Sequence, residues 1–390
     1  MKTFLNILFG LMIFSASSRG IIEVYFSKQA GYVIQLFFGL LFSFFMLVLW
    51  RKNSEEKILQ KSLIFYFLLF ISFLSATYMS IFQGFYISWI YVVAMSVFYL
   101  LFYIYTGYNF KSVVSFKMDK WIAVNMVVLM LVAILQQRGL LEILPGNTLL
   151  NGDIRPSSLT GSYLHYPLII SIGAFLMAET YTTKKRLIYL VLFLLFSLAP
   201  IIAYSRSGSM IIILGLIVYF LLFTSFSRKM LLLSIGFPLT ILSVLLFSNN
   251  IYFQRVISSV DINSAGNTGR IEQWELAIDM FLNSPIIIGG YTGLITNVTN
   301  NFSNIPTEVV ESGALQQLLN FGLLGFILFY VMFIFCFFKI SKKHIWLRSV
   351  LLAAVLESLI YQSIEVYPFM LLLAILPLYS SYLLQVNEQI

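Results

Sequence analysis

From Ala314 to Phe338 the chain passes 25 residues without a charged side chain. Comparable stretches recur from end to end. An α-helix needs about 20 mainly apolar residues to cross a bilayer. Twelve runs meet that need, near 4–22, 30–50, 62–82, 88–107, 121–137, 164–181, 187–204, 208–226, 230–248, 314–338, 349–364 and 368–386. In lipid only helices and closed barrels satisfy every backbone N–H and C=O. Barrel strands alternate apolar and polar residues, and these unbroken runs do not. The expected fold is an all-α integral membrane protein with about twelve transmembrane helices. It forms a single polytopic domain over 1–390. Composition agrees: 60% of the residues are apolar and 10% charged, too apolar for a soluble core or a disordered chain. Met1-Lys2, an apolar stretch and Ser15-Ala16-Ser17 have the outline of a signal peptide. We read this segment as an uncleaved first span.

Charge orients the spans. With the N-terminus inside and twelve alternating helices, 13 of the 14 lysines fall on the cytoplasmic side and only Lys28 falls outside. That asymmetry is the positive-inside pattern. It implies that both termini face the cytoplasm. It also accounts for the net charge of +8 through contact with anionic membrane lipid, without a nucleic-acid partner. The arginines behave differently: Arg19, Arg138, Arg155, Arg206, Arg255 and Arg270 all fall on the outer side. A guanidinium grips phosphate or carboxylate through two hydrogen bonds, so this distribution points to an anionic ligand. Cys336 is the single cysteine, and His165 and His344 are the only histidines. That set provides neither a disulfide nor a metal cluster.

Polar sequence is concentrated in two outward segments, 138–163 and 249–313. The second, about 65 residues long, is the large extramembrane (periplasmic) loop. Within it, Ile271, Trp274, Ile278 and Phe281 recur at helical spacing. They predict an amphipathic helix over 269–281 at the membrane surface, capped by Asn267-Thr268 and ended by Pro285 and Gly289-Gly290. Asn297-Val-Thr299 and Asn301-Phe-Ser303 match the glycosylation sequon, a pattern that Asn- and Thr-rich loops also produce by chance.

Four motifs on the outer side carry a resemblance. They are Arg155 with Gly161-Ser162-Tyr163-Leu164-His165-Tyr166-Pro167; Ser205-Arg206-Ser207-Gly208; Gly269-Arg270 with Trp274, Pro285 and Gly289-Gly290; and Glu311 followed by Gly322-Leu323-Leu324-Gly325. Together they resemble the O-antigen polymerase and ligase superfamily. Its members are membrane glycosyltransferases that use glycans linked to a polyprenyl pyrophosphate. Two departures stand out. His165-Tyr166-Pro167 replaces an Asn-Pro, and Glu311 occupies the place where ligases have a His.

The resemblance implies an O-antigen polymerase, which joins undecaprenyl-pyrophosphate-linked oligosaccharide repeats on the periplasmic side in lipopolysaccharide biosynthesis. Such transfer requires a clamp for the leaving pyrophosphate and a group that activates the acceptor hydroxyl. Arg155, Arg206 and Arg270 are the expected clamp. Glu311 and Arg270 are the expected catalytic residues, Glu311 as the carboxylate that activates the hydroxyl, with His165 and Glu357 as secondary candidates. Glu357 lies within an apolar run, where a carboxylate is expected to pair with an Arg or to sit near a helix end. Gly322 and Gly325 are expected to serve close helix packing. No metal, nucleotide or other cofactor is expected, because the donor is already activated and the sequence has neither Asp-x-Asp nor a phosphate loop. A chain-length regulator membrane protein is the implied partner. The alternatives are an O-antigen ligase transferring the finished chain to lipid A-core, and a flippase for the lipid-linked repeat. The flippase reading lacks the internal symmetry expected of a transporter.

Overall fold

The computed structural model describes residues 2–53, 59–107, 117–141, 147–148, 154–223, 254, 265–297 and 310–389. In chain order the helices are α1 (Lys2–Ser17), α2 (Arg19–Tyr25), α3 (Lys28–Asn53), α4 (Leu59–Phe82), α5 (Ser88–Gly107), α6 (Met118–Gln137), α7 (His165–Lys184), α8 (Leu187–Ile202), α9 (Arg206–Val218), α10 (Ala265–Leu282), α11 (Gly313–Lys339), α12 (Ile345–Ile360), α13 (Tyr367–Ala374) and α14 (Leu376–Gln389). A two-residue hairpin, β1 (Asn147–Thr148) against β2 (Ile154–Arg155), and a 3₁₀ turn (Ser158–Thr160) precede α7.

Among the described residues, five helices are long and apolar enough to cross a membrane. They lie at Lys28–Val48, Leu63–Phe82, Ser88–Thr106, Met118–Gln137 and Gly313–Lys339. Two further runs are bent pairs. The first predicted run turns by 68° between α1 and α2, and the last turns by 43° between α13 and α14. Ser18 leaves helical geometry at the first break. At the second, Pro377 sits in the first turn of a new helix, where its missing N–H costs nothing. Counting each pair as one span gives seven among the described residues. Leu187–Ile202 and Arg206–Leu221 are shorter apolar helices. The predicted run 230–248, Arg255 and the second sequon lie outside the described residues.

The core is built around α7. Every residue from Tyr166 to Thr180 is buried, as expected for a helix apolar on all sides. It packs against α6, α8, α9, α12 and α13. Close approach to α9 depends on a small residue, because a Cβ on Gly208 would lie 2.7 Å from Pro167 Cβ. At that contact the Ser171 hydroxyl donates to the Pro167 and Gly208 carbonyls at 2.7 and 2.9 Å.

α11 is interrupted at Gly322, which has φ 67° and ψ −171°. Glycine tolerates that geometry and other residues do not. The break releases backbone groups that segment 286–291 takes up. Gly290 and Tyr291 donate N–H to the Leu319 carbonyl at 3.2 and 3.1 Å, and Leu323 donates to Ile286 at 2.8 Å. The Thr292 and Ser75 hydroxyls both donate to the Asn320 carbonyl at 2.6 Å. Gly289, at φ 74°, has room for no Cβ, which would fall 2.7 Å from the Asn320 carbonyl carbon. Gly289 and Gly322 therefore clasp the segment after α10 to the broken α11. The expectation of simple helix packing holds only for Gly325, whose Cβ position faces Phe321 and Ile71.

α10 corrects the predicted surface helix in two respects. It starts at Ala265, so Asn267 and Thr268 lie inside it and are not its cap. Its packed face is Ala277 with Trp274, Met280 and Phe281, set against Ile295, Val310, Leu315 and Leu319. Ile278 is exposed instead.

Candidate functional site

α7, α9 and α11 begin, and α12 ends, around one cavity of about 420 Å³. All six candidate side chains line it: Arg155, His165, Arg206, Arg270, Glu311 and Glu357. These residues span about 200 positions of sequence and five separate elements.

Arg155 ends the small hairpin. The chain beyond it is held to α6, because the Gln136 side-chain oxygen accepts the Ser157 and Ser158 N–H groups, both at 3.0 Å. Gly161, at φ 73°, lies against Gly20, where neither residue can carry a Cβ. This turn brings Tyr163 beneath Arg155, with the guanidinium carbon 4.1 Å from the ring centroid. His165 opens α7.

Arg206 opens α9. The Ser205 hydroxyl accepts the Gly208 N–H at 3.2 Å, a helix N-cap. Arg206 is thus fixed at the positive end of a helix, where an anion is favoured. One guanidinium nitrogen donates to the Asn267 side-chain oxygen at 3.3 Å, so the residue expected to cap α10 contacts Arg206 instead.

Arg270 projects from α10 and forms an ion pair with Glu311. Its guanidinium carbon lies 4.9 Å from the centroid of the Tyr361 ring. Burial opposes its charge, but Glu311 and Tyr361 outweigh that and hold Arg270 above its usual pKa. Glu311 is placed by its neighbours in sequence. The Ser312 hydroxyl caps α11 and donates to the Leu359 carbonyl at 2.7 Å. The Gly313 N–H donates to the Tyr361 carbonyl at 3.1 Å.

Glu357 lies near the end of α12 with no exposed surface. Of the two expected arrangements it takes the second, near a helix end, and neither carboxylate oxygen has a hydrogen bond of ordinary geometry among the described residues. The Ser363 hydroxyl is close enough to influence it, though it makes no hydrogen bond of ordinary geometry.

Sequence reasoning missed the linker 361–366, which adds Tyr361, Gln362 and Ser363 to the cavity. The available signal was a short polar run between two apolar ones. Asn297 and Gln273 line the cavity as well. The Asn297 amide donates to the Gln362 side-chain oxygen at 3.1 Å, so this sequon residue is engaged within the fold. Glu365 ties the linker down. It accepts the Asn297 N–H at 3.0 Å and the Gln362 amide at 2.7 Å, and it also accepts from Gln316. Burial pushes its pKa up to about 8, against the pull of these donors. Among the described residues, no three His, Cys, Asp or Glu side chains converge as metal ligands.

The cavity can bind an anion through its guanidinium groups and polar hydroxyl-bearing groups through its amides. Residues 190–330 match the family model described as O-antigen ligase. The match contains Arg206, Arg270 and Glu311, whereas Arg155, His165 and Glu357 lie beyond its ends. No curated protein matches the chain.

Proposed function

We propose that this chain, which carries a domain of the O-antigen ligase and polymerase superfamily over residues 190–330, is an O-antigen polymerase. It takes the growing glycan from undecaprenyl pyrophosphate and transfers it to the sugar of the next lipid-linked repeat. The observation that carries the reading is the convergence of Arg155, Arg206 and Arg270 on one cavity with carboxylates. Three guanidinium groups positioned by Tyr163, Asn267 and Glu311 suit a leaving pyrophosphate, whose charge grows as the glycosidic bond breaks. The prenyl chain has apolar helix surface beside it: Leu164 is exposed at the cavity rim, and Leu216 and Ile217 are exposed along α9.

The family match is common to polymerases and ligases. Polymerase is favoured by Glu311, which stands where a ligase has a His. In this reading the outer face is the end of the bundle bearing the cavity. The lysines support that orientation, since Lys184 and Lys339 lie at the far ends of α7 and α11.

Deleting the gene in its own strain and separating the surface polysaccharide on a gel tests the assignment. A polymerase predicts core carrying one repeat with the ladder gone. Bare core, with long chains accumulating on the lipid carrier, would instead identify a ligase. An unchanged ladder would refute both.

A further inference from the structure

Glu311 and Glu357 line the same cavity in opposite circumstances. The Glu311 side chain is 45% exposed and committed to Arg270. Glu357 has no exposed surface and no hydrogen bond of ordinary geometry on either oxygen among the described residues, with the Ser363 hydroxyl as its polar neighbour. Tyr330 on α11 is close enough to sense its charge, but that hydroxyl is 3.2 Å from Ser358. A polar group buried without a partner is costly. A fold that retains one in the wall of a cavity leaves its oxygens for a ligand, which reaches them when the side chain turns toward the cavity.

The surroundings of Glu357 indicate which ligand. Tyr361, Gln362, Ser363, Asn297 and Gln273 line the same cavity. Their hydroxyl and amide groups both donate and accept hydrogen bonds, which matches sugar hydroxyls. The Gln362 and Asn297 amides are already fixed by each other and by Glu365, so this surface is ordered before a sugar arrives.

We propose that the end of α12 and the linker 361–366 form the acceptor-sugar subsite, and that Glu357 takes the proton of the attacking hydroxyl. This inference rests on the polymerase reading above. The acceptor oxygen forms a bond to the anomeric carbon of the donor sugar. The bond from that carbon to the pyrophosphate oxygen breaks, and its electron pair leaves with the lipid pyrophosphate held by the arginines. The hydroxyl proton passes to a Glu357 oxygen. Glu311 then positions Arg270 and is not itself the base.

The test compares full-length E357Q, E357D, E311Q and R270A in the deletion strain and as purified proteins in lipid nanodiscs. E357Q is expected to lower polymer output by about 100-fold or more and to accumulate single lipid-linked repeats. It should bind undecaprenyl pyrophosphate as the wild type does. E357D should recover part of the ladder, and E311Q should retain more polymer than E357Q. A near-wild-type ladder from E357Q would overturn the assignment. Loss of undecaprenyl pyrophosphate binding in both E357Q and E357D would overturn it too, by showing a structural role. A full ladder and unchanged binding in R270A would fail the donor reading itself, and the subsite with it.

Discussion

At the lysine-bearing end of α6 and α7, Asp119 accepts from Lys184 Nζ at 2.8 Å and from the hydroxyls of Tyr189 and Tyr382. At the other end of the same helices, three arginines and two glutamates surround a cavity of about 420 Å³. Both places bring charge into an apolar bundle. In the first, one carboxylate meets one ammonium and two hydroxyls, and the group is closed. In the second, positive charge exceeds negative and the space between the side chains is open. Buried charge alone does not mark a site, because closed groups can serve to hold helices together. The combination of a charge excess, a cavity and a buried carboxylate without a hydrogen bond of ordinary geometry marks one.

If the comparison is right, the two ends should fail in different ways. The largest effect is expected at the open end. R206A or R270A should lower polymer synthesis by about 10²–10³-fold while the purified protein unfolds at an unchanged temperature. Polymer yield and thermal unfolding, measured on one preparation, check both halves. D119A should do the reverse. Leaving the half-buried Lys184 and the Tyr189 and Tyr382 hydroxyls without their carboxylate should cost about 1–3 kcal/mol of stability, seen as a lower unfolding temperature and lower yield. Undecaprenyl pyrophosphate binding by the folded fraction should persist.

A mixed loss is expected at the clasp. G322A forces a Cβ into the backbone of Ile287 and a φ of 67° on an alanine, at about 1–3 kcal/mol for the backbone strain alone. It should lower both stability and activity, since the clasp sets α10 and hence Arg270. Activity loss at full stability would show that Gly322 has a role beyond the clasp.

The last contrast concerns pH. The Glu365 pKa is raised from 4.5 to about 8 in the fold, with Tyr91 and Tyr32 also facing its charge. Between those values the folded chain keeps a proton that the unfolded chain has released. Stability from this group therefore falls as pH rises from about 4.5 to about 8. E365Q should flatten that slope in unfolding temperatures measured across the interval.

What could be read in advance was local in character. Helix-length apolar runs and the arginines gathered at their predicted outer ends are visible along the chain, and together they lead to Arg155, Arg206 and Arg270. Ser205-Arg206-Ser207-Gly208 was legible as a short motif of the family it resembles, whereas the Ser205 cap on α9 was not read in advance. The pairing of Arg270 with Glu311 joins residues 41 positions apart, and no spacing rule announces it. The break at Gly322 exists because segment 286–291 supplies the backbone partners for it. Helical periodicity, a property of one segment, is blind to that exchange. The same limit explains Ile278. It falls on the predicted apolar face, but the partners of α10 lie around Ala277, so it is left exposed.

The central claim is that the arginine-lined cavity holds a lipid pyrophosphate. The direct test is binding of undecaprenyl pyrophosphate to the purified full-length protein in nanodiscs, comparing wild type, R206A and D119N. The account predicts binding by wild type and by folded D119N, and about tenfold or greater weakening in R206A, the loss of one charge-assisted contact. Equal binding by wild type and R206A, or none by either, would contradict it.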